Sequence, residues 1–323
     1  MAYENVSSRK QTAMEPREPQ ELARARAEVV EMVLDSLSPG SRRVYRKALD
    51  DFFGWHEAQG RPPLSKRVVQ GYKRHLEDRG LSSSTINRAL CAIRKLAREA
   101  ADNALLDPAL AEGIGRVKGV RSEGVRMGNW LTRDQAQALL DAPDISSLKG
   151  LRDKALLAAL IGTGLRRTEA ASLTFAHVQQ REGRWVIVDI VGKRGKVRTV
   201  PMPSWAKAAI DAWAEAVGIT EGRVFRAMAK GDRVNGAQMT PQAVRDVVNE
   251  YASSLGFDGI APHDLRRTFA KLAHKGGSGL DQIQLSLGHA SIKTTEKYLG
   301  IEQDLTDAPC DRLGLRVGPT EPI

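Results

Sequence analysis

The chain is poor in cysteine. Cys91 and Cys310 are its only two, far apart and without Cys-x-x-Cys spacing, which argues against both a disulfide framework and a thiolate zinc site and makes the cytoplasm the expected compartment. Long apolar runs are also lacking. The best uncharged stretch, Ala155 to Leu165, is closed off by Lys154 and Arg166, short of the ~20 apolar residues that a membrane span requires; no membrane-spanning role is expected. The first twenty residues hold Glu4, Arg9, Lys10, Glu15, Arg17 and Glu18 with no apolar block, so they are no secretory signal, and residues 1–20 read as a flexible tail. Acidic residues are in deficit. Thirty-nine Asp and Glu face forty-nine Lys and Arg, and the resulting +10, with a pI near 9.7, points to an anionic partner such as nucleic acid or an anionic membrane surface, between which charge alone does not choose.

What is present is the composition of a folded protein: 323 residues, 41% apolar and 27% charged, about the length of two domains. The first half reads as four helices. Glu21–Leu37 carries Leu22, Ala25, Val29, Met32 and Val33 at helical spacing, and Ser38-Pro39 opens a second helix whose apolar face is Val44 or Tyr45, Leu49, Phe52, Phe53 and His56. Ser65 caps a third, with Val68, Val69, Tyr72 and Leu76 inward and Gly80 as its stop. The fourth, from Ser82-Ser83-Ser84, buries Ile86, Leu90, Ile93 and Ala97 and turns Arg88, Arg94, Lys95 and Arg98 outward. Between Arg61 and Arg126 fourteen basic residues face seven acidic ones, so this segment holds most of the chain's excess charge. With Lys118, Arg88, Arg94, Lys95 and Arg98 are the candidate nucleic-acid-binding residues, a surface that tracks phosphates rather than a mixed solvated face.

Residues 118–129, glycine-punctuated and aperiodic, read as the linker between a helical domain at 21–117 and a second domain at 130–302. In the second domain, Thr132-x-x-Gln135 forms a capping box and Leu151–Ile161 an apolar helix ending at Gly162-Thr-Gly164. Trp185–Val191 and Val197–Val200 read as a β-hairpin about the Gly192–Lys196 turn, stopped by Pro201. Helices follow at Ser204–Val217, Thr240–Leu255 and from about Pro262 to Leu299. The fold expected is mainly α with a small β-hairpin or sheet in the second, α+β domain.

Three segments gather unusual chemistry: Gly164-Leu-Arg-Arg-Thr-Glu169, where an apolar helix ends on arginine; the turn Gly192-Lys-Arg-Gly-Lys196; and His263-Asp-Leu-Arg266 followed by Leu287-Gly-His289 and Tyr298. On a helix, His263 and Arg266 share a face and can converge on one anion. Singly, each has a bland reading: a charge complementing a helix end for Arg166, a solvated turn lysine for Lys193. The turn is no nucleotide P-loop, since Ile187 stands where its leading glycine would be. Taken together and in this order, the segments resemble the tyrosine recombinase (phage integrase) family, and the basic helical first half resembles that family's core-binding, SAM-like domain.

The resemblance implies a two-domain DNA clamp and site-specific recombination through a 3′-phosphotyrosine and a Holliday junction. It implies Tyr298 as nucleophile, His263 as its base, Arg166, Arg266 and His289 as holders of the phosphate, and Lys193 as the acid for the leaving oxygen, with Lys196 its rival. Glu169 would orient a catalytic group. It further implies no cofactor and no metal, a homotetramer on two duplexes of short recombination site, a C-terminal tail at 303–323 packing at home or on a neighbouring protomer, and an accessory directionality factor as an open question. A cytoplasmic, bacterial or phage-encoded, nucleoid-associated enzyme is expected. The rivals are a type IB topoisomerase-like relaxing enzyme, a catalytically silent DNA-binding regulator of the same fold and, as a third class, a metal-dependent nuclease.

Overall fold

The computed structural model describes residues 19–121, 129–192 and 195–299. The chain divides into two compact units, Met1–Val125 and Arg126–Ile323.

The first unit is helical: α1 (Pro19–Asp35), α2 (Pro39–Ala58), α3 (Lys66–Asp78), α4 (Ser83–Asp102) and α5 (Pro108–Gly115). The starts are written in the cap residues. Ser65 Oγ accepts the Val68 N–H, Ser82 Oγ the Thr85 N–H, and Asp107 those of Ala109 and Leu110 at 2.7 and 3.2 Å, which satisfies donors that the first helical turn leaves unpaired. α4 is the central element. Its apolar stripe, Ile86, Leu90, Ile93 and Ala97 among others, closes a core with Val33, Leu49, Phe52, Tyr72 and Leu76. The buried tyrosine hydroxyl there is accounted for: Tyr72 Oη donates to Asp51 at 2.7 Å, and Arg79 holds the same carboxylate.

Four helices were expected and five are found among the described residues. α5 is only eight residues long, too short for periodicity to reveal, although its Asp107-Pro108 start is a readable signal. The segment read as a linker is also more ordered at its beginning. Asn87 on α4 donates to the Val120 carbonyl at 2.9 Å and accepts the Val120 N–H at 2.8 Å, and Ser83 Oγ donates to the Arg121 carbonyl. Residues 118–121 are therefore strapped onto α4. Residues 122–128 lie outside the described residues.

The second unit is built on α7 (Leu148–Thr163), buried on nearly every side and flanked by α6 (Arg133–Asp141), α9 (Ser204–Val217) and α11 (Pro262–Lys275). Leu156, Leu157 and Leu160 are wholly buried, each stabilising the fold by about 1.5–3 kcal/mol. α8 (Arg167–Ser172) leads to a three-stranded antiparallel sheet, β1 (Val178–Arg181), β2 (Arg184–Val191) and β3 (Val197–Pro201), in the order β1-β2-β3. A bulge lies in β2: the pair Ile187 and Val200 is followed by Ile190 and Arg198, and Asp189 sits at φ +56°. β4 (Ala227–Ala229) pairs with β5 (Arg233–Asn235), and α10 (Pro241–Ser254), α12 (Leu280–Leu287) and α13 (Ile292–Leu299) complete the described unit.

The expected hairpin is thus two strands of a three-stranded sheet, and a second small sheet accompanies it. β1 reads Val-Gln-Gln-Arg and β4 and β5 have three residues each, too short for alternation to register. The helical run expected from Pro262 to Leu299 is three helices, interrupted at Gly276 and at Gly288.

Candidate active site

α7 ends because Gly164 adopts a left-handed conformation, φ +62°, and a Cβ at that position would meet Phe269 Cδ1 at 2.7 Å. The chain then turns sharply and offers Arg166 at the head of α8. Glu169, in the first turn of that helix, accepts the Arg166 backbone N–H at 2.7 Å through one oxygen and Arg166 Nη1 at 2.7 Å through the other. The same carboxylate takes both terminal nitrogens of Arg198 from β3, at 2.9 and 2.8 Å. Burial works against the Glu169 charge, but the Arg198 hydrogen bonds and the Arg166 N–H outweigh it and hold the carboxyl at about 2. It is ionised throughout the physiological range.

Arg266, on α11, is 1% exposed. Its guanidinium joins two helix ends: Nη1 donates to the Gly164 carbonyl at the close of α7, at 2.6 Å, and Nη2 to the Leu287 carbonyl at the close of α12. Arg166 Nη2 reaches that same Leu287 carbonyl at 3.4 Å, and Arg198 Nε takes the preceding one, of Ser286, at 2.9 Å. Gly288, left-handed at φ +63°, terminates α12 there. Carbonyls that a helix C-terminus leaves without intrahelical partners, at the negative end of its dipole, thus hold three guanidiniums in one place.

The two histidines border this cluster. His289 follows the α12 cap directly, and its Nδ1 lies 3.0 Å from Thr295 Oγ1 on α13. Desolvation, then the charges of Arg266 and Arg166, bring its pKa down to about 4. His263, in the first turn of α11, is likewise lowered, by desolvation and then by Arg267 and Arg266. Both rings are neutral at neutral pH, one suited to accept a proton and one to donate a hydrogen bond without a charge of its own.

Arg166, Glu169, His263, Arg266 and His289 are therefore brought together. Tyr298 lies on α13, three residues after Thr295; its side chain lies outside the described residues, as do Lys193 and residues 300–323. Lys196 is exposed, and its carbonyl accepts the Gly192 N–H at 2.7 Å to close the turn. Gly192 is adjacent to the cluster, since a Cβ there would stand 3.8 Å from Arg166 Nη1. Sequence reasoning missed Arg198. A signal existed: Arg198 shares a strand face with fully buried Val200 and lies opposite buried Ile190, and a charge at an inward position demands a partner.

Of the five basic residues singled out on the first unit, Arg88, Arg98 and Lys118 are exposed and Lys95 is half-buried. Arg94 is the correction. Instead of facing outward it turns its Nη2 onto the Val117 carbonyl, with its Nε buried, because the end of α5 and the strap after it pack against this part of α4.

The phage integrase family profile matches residues 129–304, and the N-terminal SAM-like domain of phage integrases matches residues 32–103. The chain belongs to the phage integrase family. Among its relatives is the tyrosine recombinase XerD of Vibrio vulnificus strain YJ016, 33% identical over 293 residues that cover 83% of this chain and 89% of the relative. The tyrosine recombinase XerC of Pelobacter propionicus is 32% identical over 274 residues, 83% of this chain and 87% of its own. In fold it is similar to XerH site-specific recombinase bound to palindromic difH substrate, at 20% identity and a TM-score of 0.64, over 81% of this chain and 76% of that one. A tyrosine recombinase of this family is a site-specific DNA recombinase, and neither the topoisomerase nor the silent regulator is favoured. The described residues of this recombinase include no helix long and apolar enough to cross a membrane.

Proposed function

We propose that this recombinase cuts and rejoins duplex DNA at a specific short site, with Arg166, Lys193, His263, Arg266, His289 and Tyr298 acting at one phosphate. The observation that carries the assignment is the shared Leu287 carbonyl: two guanidiniums from α8 and α11 converge on a single acceptor, beside His289.

In this reading the Tyr298 hydroxyl attacks phosphorus. A phosphotyrosyl bond forms to the 3′ side as the bond to the 5′ oxygen breaks. A phenol of ordinary pKa near 10 is about one part in a thousand ionised at pH 7, so His263, neutral there, takes its proton. Arg166 and Arg266 hold the non-bridging oxygens as negative charge develops on them; removing such a donor costs about 2.7–4 kcal/mol of transition-state stabilisation. When Thr295 donates to Nδ1 of His289, the ring hydrogen sits on Nε2 and donates to the same phosphate. Lys193, with Lys196 as alternative in the same turn, gives the departing 5′ oxygen its proton. The bond energy is kept in the phosphotyrosine, so the step reverses without ATP, and a second exchange passes through a Holliday junction.

The basic face carrying Arg88, Lys95, Arg98 and Lys118 grips the duplex backbone, with domains at 21–117 and 130–302 joined through 118–129 as a clamp. Four protomers on two duplexes, a contact between protomers through 303–323, and a cytoplasmic setting complete the proposal; a directionality factor would act on that assembly.

Duplexes bound by the full-length protein are selected from a random library, and one is nicked close to the protected centre. Wild type should trap a covalent protein–DNA complex that survives EDTA, and Tyr298→Phe should trap none. Equal trapping by both rejects Tyr298 as nucleophile, and loss in EDTA favours a metal-dependent nuclease. Relaxation of supercoils without any sequence requirement would move the enzyme to the topoisomerase class.

A further inference from the structure

We propose that Arg198 is a positioning residue for DNA cleavage: it shares the Glu169 carboxylate with Arg166, so that Arg166 keeps its place and its charge for the phosphate, and it ties β3 to α8 and to the end of α12. The proposal rests on the reading of Arg166 as a phosphate-holding group.

The side chain is only 9% exposed, and three of its nitrogens each have an acceptor: the Ser286 carbonyl and both Glu169 oxygens. Glu169 is itself 6% exposed. A buried carboxylate with a single guanidinium beside it would bind that cation one to one and neutralise it. Here two guanidiniums divide one carboxylate, and a positive charge is left over. Arg198 thereby keeps Arg166 from being consumed by its own orienting partner.

The space for Arg198 is built in. A Cβ on Gly288 would lie 2.8 Å from Arg198 Cδ, so the glycine that ends α12 also makes room for the arginine. The side chain leaves β3 from a position opposite Ile190 and two residues after Lys196, which fixes the strand on which the turn is mounted to both α8 and α12. A lysine at 198 supplies a point charge and cannot make the planar two-pronged contact while also reaching Ser286.

Single-turnover cleavage of the selected nicked duplex by full-length protein, at saturating protein and across pH, is compared for wild type, Arg198→Ala and Arg198→Lys, each also in a Glu169→Gln background. We expect Arg198→Ala to slow cleavage about 10–100-fold, the range for partners that orient a functional group, with duplex affinity within about 3-fold. Arg198→Lys should recover only part of this, and in the Glu169→Gln background the loss from Arg198→Ala should shrink below about 3-fold, because coupled residues are not additive. Cleavage by Arg198→Ala within 3-fold of wild type, or an undiminished loss in the Glu169→Gln background, would overturn the proposal. Should Arg198→Ala fail to fold, Arg198→Lys carries the same comparison. A second readout stands apart from cleavage: the carbon-13 carboxyl signal of Glu169 in labelled protein, assigned by its loss in Glu169→Gln, should titrate at higher pH in Arg198→Lys. An unchanged titration sinks the Arg198 assignment even if no covalent complex forms with wild type, an outcome that would sink the functional reading instead.

Discussion

Arg266 shows how one side chain can serve fold and chemistry together. It is buried because it satisfies two helix-terminal carbonyls, and those carbonyls belong to the two helices that frame the candidate site, where it is proposed to hold the phosphate. The cluster around it has a signature in acid. His289 and His263 have folded-state pKa values below their unfolded ones, so they stabilise the fold fully above about pH 6.5 and lose that contribution as pH falls; for His289 the window runs from 6.5 down to about 4. Glu169, lowered to about 2, adds its own loss between about 4.5 and 2. Thermal unfolding of wild type should therefore lose on the order of 1–2 kcal/mol between pH 7 and pH 5 from His289, and His289→Gln should flatten that limb while leaving the lower one in place. Parallel curves for the two proteins would refute the assignment.

Among the elements, the turns at the ends of α7 and α12 do the positioning. Gly164 combines a left-handed backbone with a Cβ direction blocked by Phe269 and Leu287. Gly164→Ala should destabilise the second unit by about 2–4 kcal/mol, the left-handed strain added to overpacking, and should slow cleavage by shifting the Gly164 carbonyl under Arg266; urea unfolding with a midpoint unchanged from wild type would contradict this. These elements were largely legible in the sequence. Ser65, Ser82 and Thr132 mark helix starts, and Thr132 and Gln135 do form their reciprocal cap. The short elements were not, because β1, β4 and β5 have only three or four residues each and are set by pairing with the next strand across a tight turn rather than by a period of their own. Arg166, His263, Arg266 and His289 stood out because their chemistry lies in their side chains at fixed spacing. The Leu287 carbonyl that gathers the arginines could not stand out, since every residue carries a carbonyl and only the fold selects one.

For the whole molecule, charge decides how it meets DNA. Lys118, exposed on the strap that Asn87 holds to α4, is proposed to contact phosphate. Lys118→Gln should weaken binding evenly across sequences and reduce the slope of log affinity against log salt by about 1; a change of sequence preference with the slope intact would place it on a base edge instead.

The carbonyl-bound arginines have one more effect. Arg166 and Arg198 share the one Glu169 carboxylate, and that excess of positive charge opposes folding until a counter-charge arrives. A small divalent oxyanion should meet that need. Sulfate in excess of its dissociation constant should raise the melting point of the full-length protein more than chloride at equal ionic strength, by mass action on the native state, and Arg166→Ala should erase most of the difference. The fold of the catalytic half would thus be strengthened by the same chemistry it exists to transform.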